Sequence, residues 1–152
     1  DDIRDFCPNY ANMGDAQKVN FWAFLVSAIA KHETSFNPIA RTISTGNDEV
    51  TGKRLYAEGL LALAYRDIRK FCFCAFDWEK DKALSLTDNA RTILDTLRNL
   101  DCGIKILATQ VETLGRISHA STYWNVLKPA GLKSRLKEIQ TAAQQALPFC
   151  QR

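Results

Sequence analysis

Between Phe21 and Pro38 an apolar helical pattern runs into Lys31-His32-Glu33-Thr34-Ser35-Phe36-Asn37-Pro38, and that ending limits what the chain can become. Trp22, Val26, Ile29 and Glu33 follow one another at steps of four, three and four, so a carboxylate stands in line with side chains that belong in a core. Partial burial disfavours the charged form of an acid, and the negative end of the helix dipole acts in the same direction. Both effects favour a proton donor at neutral pH, which general acid catalysis requires. Position alone equally allows Glu33 to swing into solvent or to pair with a nearby Lys or Arg.

Around this helix the sequence predicts a helical bundle broken by one polar insertion. Asp15 to Ser35 reads as the first long helix, stopped by Asn37-Pro38. Thr42 to Leu55, with Thr45-Gly46-Asn47-Asp48 and Thr51-Gly52, reads as a short exposed β-hairpin or ordered loop. Glu58 to Lys70 reads as a second helix, and Phe71 to Ala83 as an irregular stretch whose Asp77-Trp78-Glu79-Lys80-Asp81-Lys82 lies on the surface. Ile93, Leu97, Leu100, Ile104, Leu107, Val111 and Leu114 recur at helical steps across Asn89 to Leu114. Ser118 to Leu127 and Leu132 to Ala146 complete the bundle, separated by Pro129 and Gly131. No repeat, low-complexity tract or linker divides the chain, so residues 1–152 read as one domain.

A chain of 152 residues can bury about two-thirds of its unfolded surface, enough for a core without metal staples. Its net charge of +3 comes from interspersed acids and bases, so no nucleic-acid groove is implied. No apolar run approaches the ~18–20 residues of a membrane span. The five cysteines point out of the cytosol, because Cys72-Phe73-Cys74 is too close for two tetrahedral ligands and His32 and His119 show no paired spacing. A disulfide framework is preferred over a metal site. Cys7 and Cys150, near the two ends of the sequence, form the first expected bridge. Cys102 then pairs with Cys74 or Cys72, of which Cys74–Cys102 is carried forward, and one thiol is left over. The sequence starts at Asp1 without a signal peptide, so an exported protein would already have lost its leader. No cofactor is implied, and a monomer is expected.

Glu33-Thr34-Ser35-Phe36-Asn37-Pro38 resembles the Glu-Ser-x-Phe-x-Pro signature of the soluble lytic transglycosylase family, which belongs with the goose-type lysozymes. Glu58-Gly59-Leu60-Leu61-Ala62-Leu63-Ala64-Tyr65 resembles the family's Gly-Leu-Met/Leu-Gln-Ile/Leu motif, and Tyr123-Trp124-Asn125 stands in for its Ala-Tyr-Asn element. The resemblance runs from about Asn20 to Leu127. It implies a mainly α, lysozyme-like domain whose small β-hairpin lobe lies over a glycan-binding cleft. It also implies a bacterial, exported (periplasmic or secreted) protein whose partner is the peptidoglycan strand. Glu33 would be the acid that cleaves the β-1,4 bond between N-acetylmuramic acid and N-acetylglucosamine, through an oxocarbenium-like state.

Two departures from the motif bear on mechanism. Ala62 stands where the family has Gln, which removes an amide near the scissile sugar, and Glu58 adds an acid before the motif glycine. Glu58 is therefore a candidate second catalytic carboxylate, making a true lysozyme, or a receptor for the ammonium of de-N-acetylated glycan. It is equally a helix N-terminal acid favoured by the dipole. Phe36, Tyr65, Tyr123 and Trp124 are candidate sugar platforms, with Gly59, Leu60 and Ala62 in the cleft wall, whereas Phe21, Trp22, Phe24 and Phe149 read as core. Ser35 either orients Glu33 or caps its helix, and the family's Tyr maps to Tyr123, beside the acid. The alternatives are a lytic transglycosylase forming 1,6-anhydromuramyl ends, a silent wall-binding module, and an unrelated disulfide-rich helical domain.

Overall fold

The computed structural model describes residues 2–151. A single turn α1 (Ile3–Phe6) precedes the long helix α2 (Asp15–Thr34), which carries Asp15 in its first turn and Lys31 in its last, complementing the dipole at both ends. The helix stops because Ser35 and Phe36 both turn to positive φ, 52° and 61°, just before Pro38.

Strands β1 (Arg41–Asp48) and β2 (Lys53–Glu58) then form an antiparallel hairpin. Arg41 faces Glu58 and Ile43 faces Tyr56; beyond an irregularity between Ile43 and Asn47 the register resumes with Asn47 opposite Arg54. Gly46, at φ 94°, absorbs the bend. The tip is closed by Asp48, whose carboxylate accepts from the Val50, Thr51 and Arg66 amides.

Glu58 to Lys70 is not the helix its sequence suggests. Glu58 and Leu63 exchange backbone hydrogen bonds of 2.7 and 2.9 Å, and only α3 (Asp67–Lys70) is helical. Tertiary partners take the amides a helix would use: Gly59 N donates to Ala40 O at 2.9 Å, and Leu61 N to Asn99 Oδ1 at 2.8 Å. The stretch from Phe71 holds one further turn, α4 (Trp78–Asp81), capped by Asp77. Its Asp81 is 1% exposed, so the segment expected on the surface sends one acid inward. Helix α5 (Thr96–Leu114) begins later than its periodicity implies, because Arg91 to Leu94 turn into the interior instead.

Ser118 to Leu127 also departs from the helical expectation, keeping only a 3₁₀ turn at Asn125–Leu127. Its neighbouring amides are held from outside the segment: Asp2 accepts from Ile117 and Ser118, at 2.8 and 2.7 Å, and Gln110 from Tyr123 at 2.8 Å. Helix α6 (Leu136–Ala146) follows. The fold is mainly helical with one two-stranded sheet, the α+β lysozyme-like class.

The chain divides into two compact units, and the divisions fall inside α2 and α5. The first unit takes residues up to His32 and from Leu107 onward; Phe6, Phe21, Leu25, Ile117, Leu127 and Ile139 are among its buried side chains, and Cys7 is bridged to Cys150. The second unit is Glu33–Ile106; it buries Leu55, Leu61, Leu63, Phe76 and Ile93 and bridges Cys74 to Cys102, while Cys72 is free and exposed. Among the described residues no helix is long and apolar enough to cross a membrane.

Candidate active site

Glu33 opens the second unit at the last turn of α2, half-buried. The adjoining Thr34 fixes this helix end, because its Oγ1 donates to Leu60 O at 2.8 Å. The Leu60 loop is in turn locked to the base of β1 by the Gly59–Ala40 bond. Two successive non-glycine residues in the left-handed region, Ser35 and Phe36, follow the acid, and Ala62 at φ 53° is a third in the facing loop. Such conformations cost energy and persist where surrounding structure enforces them, as at functional sites. Ser35 and Phe36 are exposed, Phe36 at 55%, whereas Gly59 is buried and Leu60 and Ala62 are half-buried.

Asn99 holds this loop from beneath. Its amide is fully buried and makes three bonds, from Nδ2 to Glu58 O (3.2 Å) and Ile93 O (2.9 Å) and at Oδ1 from Leu61 N. A buried amide satisfied on both ends specifies one loop conformation.

Glu58 sits at the end of β2 and is 3% exposed. Its Oε1 lies 2.7 Å from Arg91 Nη1 and 3.3 Å from Arg41 Nε, so the carboxylate offered by the sequence to a sugar ammonium is taken by two guanidinium groups. Arg91 also donates to Leu86 O at 2.7 Å and to the Tyr65 hydroxyl at 3.0 Å. Burial opposes the Arg91 charge, but the hydrogen bond and the charge of Glu58 outweigh it, and the guanidinium is held more firmly protonated than usual. Tyr65 donates on to Asp81 Oδ2 at 2.8 Å, which further accepts from the Thr92 amide and hydroxyl. Burial first, and then the Asp81 bond, push the Tyr65 hydroxyl far above the ordinary phenol range.

Two candidate sugar platforms are corrected by burial. Tyr65 is 2% exposed, its ring packed edge-on against Phe76 and Trp78, and Trp124 is likewise 2% exposed; neither has a ring face to offer a pyranose. Phe36 keeps its exposure, and Tyr123, in the first unit, is half-buried with its ring edge-on to Trp124. Of the expected core aromatics, Phe21 is fully buried and Trp22, Phe24 and Phe149 are half-buried. His32, beside the acid in sequence, is held below its ordinary pKa by burial, with Glu138 acting the other way. Among the described residues no cluster of His, Cys, Asp and Glu could hold a metal ion. Arg91, Asp81 and Asn99 escape sequence reading, since a buried polar residue carries no local mark; Glu58's need for a partner was the one available hint.

No family model matches this sequence, and no curated protein does. Among solved structures, wild-type Bd0314 DslA is similar over 99% of this chain and 79% of its own, at 31% identity and a TM-score of 0.78. This chain belongs to the lysozyme-like family of DslA. The soluble lytic transglycosylase and goose-type lysozyme kinship implied by the motifs stands with it, as does the peptidoglycan-cleaving character of that kinship. Two further DslA structures, each with one glutamate replaced by glutamine, match 96% of this chain at TM-scores of 0.76 and identities of 30% and 31%. Membership of the DslA family and the two disulfides agree on an exported protein, since such bridges persist in oxidising compartments.

Proposed function

We propose that this protein cleaves the β-1,4 bond between N-acetylmuramic acid and N-acetylglucosamine in peptidoglycan, with Glu33 as the general acid. The observation that carries the reading is the position of Glu33: it stands at a helix end fixed by the Thr34–Leu60 bond and followed by two left-handed residues, in a chain akin to a protein whose glutamates were chosen for substitution. Glu33 would protonate the glycosidic oxygen as the bond to the anomeric carbon breaks, and the oxocarbenium-like sugar would then be captured by an oxygen nucleophile. Phe36 is the aromatic side chain assigned to the glycan, with Ser35, Gly59, Leu60 and Ala62 of the same unit as Glu33.

Glu58 is assigned here as a positioning residue. Its two arginine partners leave it poorly suited to activate a water or to receive an ammonium, and the two glutamates substituted in DslA lie much closer together in sequence than Glu33 and Glu58 do. That engagement favours a second reading of the same cleavage. With Glu58 engaged, the substrate would supply the nucleophile through its own 6-hydroxyl, whose proton returns to the Glu33 carboxylate, and would leave anhydromuramyl ends, as in a lytic transglycosylase. Hydrolysis, including a preference for de-N-acetylated glycan, would leave reducing ends.

The test is mass spectrometry of fragments released from intact and de-N-acetylated peptidoglycan by the wild type and by Glu33→Gln. The wild type should cut, and the variant should lose on the order of 10²–10⁴-fold in rate. Product ends assign the mechanism, and the wall that is cut assigns the glycan. Undiminished cutting by Glu33→Gln would remove the acid assignment, and glycan binding without cutting would leave a silent wall-binding module.

A further inference from the structure

Within the second unit, the hairpin and the segment from Trp78 to Arg91 line a shallow, open depression. Four cationic side chains line it, Arg41, Lys53, Arg54 and Arg91, against two carboxylates, Asp48 and Glu58. Both carboxylates are already engaged, Glu58 by Arg91 and Arg41, and Asp48 by the amides of Val50, Thr51 and Arg66. Lys53 and Arg54 make no ion pair among the described residues. The rim of the depression therefore carries uncompensated positive charge.

Two of these cations are held in place by aromatic rings. The Arg41 guanidinium lies 3.3 Å from the centroid of Tyr56, and Lys53 Nζ 5.3 Å from that of Trp78. Rings that hold a cation reduce the side-chain freedom lost when an anion binds. The strand places Arg54 two residues before Tyr56 and four before Glu58, on one face of β2, and Arg41 enters opposite Glu58. Guanidinium groups present paired donors that match the two oxygens of a carboxylate.

We propose that this depression is an anion subsite that receives a carboxylate of the peptide stems borne by the glycan strand. The proposal rests on the peptidoglycan reading above. It ties the subsite to Glu33 through a short chain path, since Glu58 lines the depression and Leu60, two residues on, accepts the Thr34 hydrogen bond beside the acid. A phosphate would present the same anionic chemistry, so the test separates the two sources.

The experiment is calorimetric titration of the full, disulfide-intact chain with an N-acetylmuramoyl tetrapeptide, with the same peptide amidated at its carboxyl groups, and with inorganic phosphate. It is run on the wild type, on Arg54→Gln and on Lys53→Gln, all at fixed salt. Both substituted residues are exposed, and unchanged thermal unfolding confirms that each variant folds. The free-acid peptide should bind at least about tenfold more tightly than the amidated one, and each variant should lose a large part of that difference. Equal binding of the two peptides, no binding of either, or no effect of both variants would overturn the subsite. Phosphate that displaces the tetrapeptide at comparable concentration would overturn the stem as its source. Cleavage by the same samples keeps the two readings apart: cutting without carboxylate-dependent binding sinks the subsite alone, and binding without cutting sinks the glycosidase alone.

Discussion

At Glu58 the chain buries a carboxylate beside a guanidinium that is itself 2% exposed, and the two are tolerable only together. Desolvating either charge alone is expensive, while mutual attraction at 2.7 Å and the Arg91 bonds to Leu86 and Tyr65 offset the penalty. Arg91→Met should therefore lower stability by about 3–5 kcal/mol in urea unfolding, since it leaves Glu58 with only the half-exposed Arg41. Removing both charges with Glu58→Leu in the same chain should recover most of that loss, because the cost lies in the unpaired charge rather than in the pair. A double variant no more stable than Arg91→Met would mean that Arg91's bonds to Leu86 and Tyr65 dominate instead. The pairing was not legible in the sequence: the partners are far apart along the chain, and Arg91 sits where apolar periodicity pointed to a helix surface.

At the scale of elements, local pattern served well where a segment packs along its own length and failed where its amides are claimed from elsewhere. The long helix α2 and the hairpin follow the sequence closely, because a 3.6-residue apolar period and turn residues among β-branched ones are local signals, although the chain reverses at Thr51-Gly52 and Gly46-Asn47-Asp48 lies within β1. The loop from Glu58 to Leu63 reads as a helix start because Leu and Ala are good helix formers. What overrides them is Asn99, whose three bonds favour a bent loop, and Gly59, which alone fits the bend. Gly59 has φ 75°, and a Cβ there would come 2.3 Å from Asn99 Nδ2 and 2.7 Å from Ile93 O. Neither can yield cheaply, the first belonging to an amide held by three bonds and the second being backbone. Gly59→Ala should destabilise by about 2 kcal/mol or more and reduce cleavage further than stability alone explains, as the Leu60 carbonyl that holds Thr34 shifts. Activity per folded molecule equal to wild type would show that the loop does not set the Glu33 site. Of that site, the acid and its motif were visible in the sequence, and the residues that hold them were not.

Across the whole molecule each compact unit contains its own disulfide, and the two bridges differ in how much chain they close. Cys7–Cys150 spans a separation of 143 residues and joins the first and last parts of the unit that also seats α1 against α6. Cys74–Cys102 spans 28, inside the unit that carries Glu33 and the hairpin. Loop-closure entropy makes the longer bridge worth about 5 kcal/mol and the shorter about 3.5 kcal/mol, as upper values in the chain-entropy view. Replacing Cys7 and Cys150 by Ser should therefore lower thermal stability more than replacing Cys74 and Cys102. The ranking for activity should be the reverse. Cys74 and Cys102 brace the same unit as Asn99, Arg91 and the Glu58 loop, so their loss should loosen the acid's surroundings below the melting temperature. Amide exchange would separate the two effects: the first double variant should lose protection in α6 and at the Asp2-held amides of Ile117 and Ser118, and the second around Leu61 and Thr92. Uniform loss of protection in both variants would mean that the two units unfold as one, and that neither bridge acts locally.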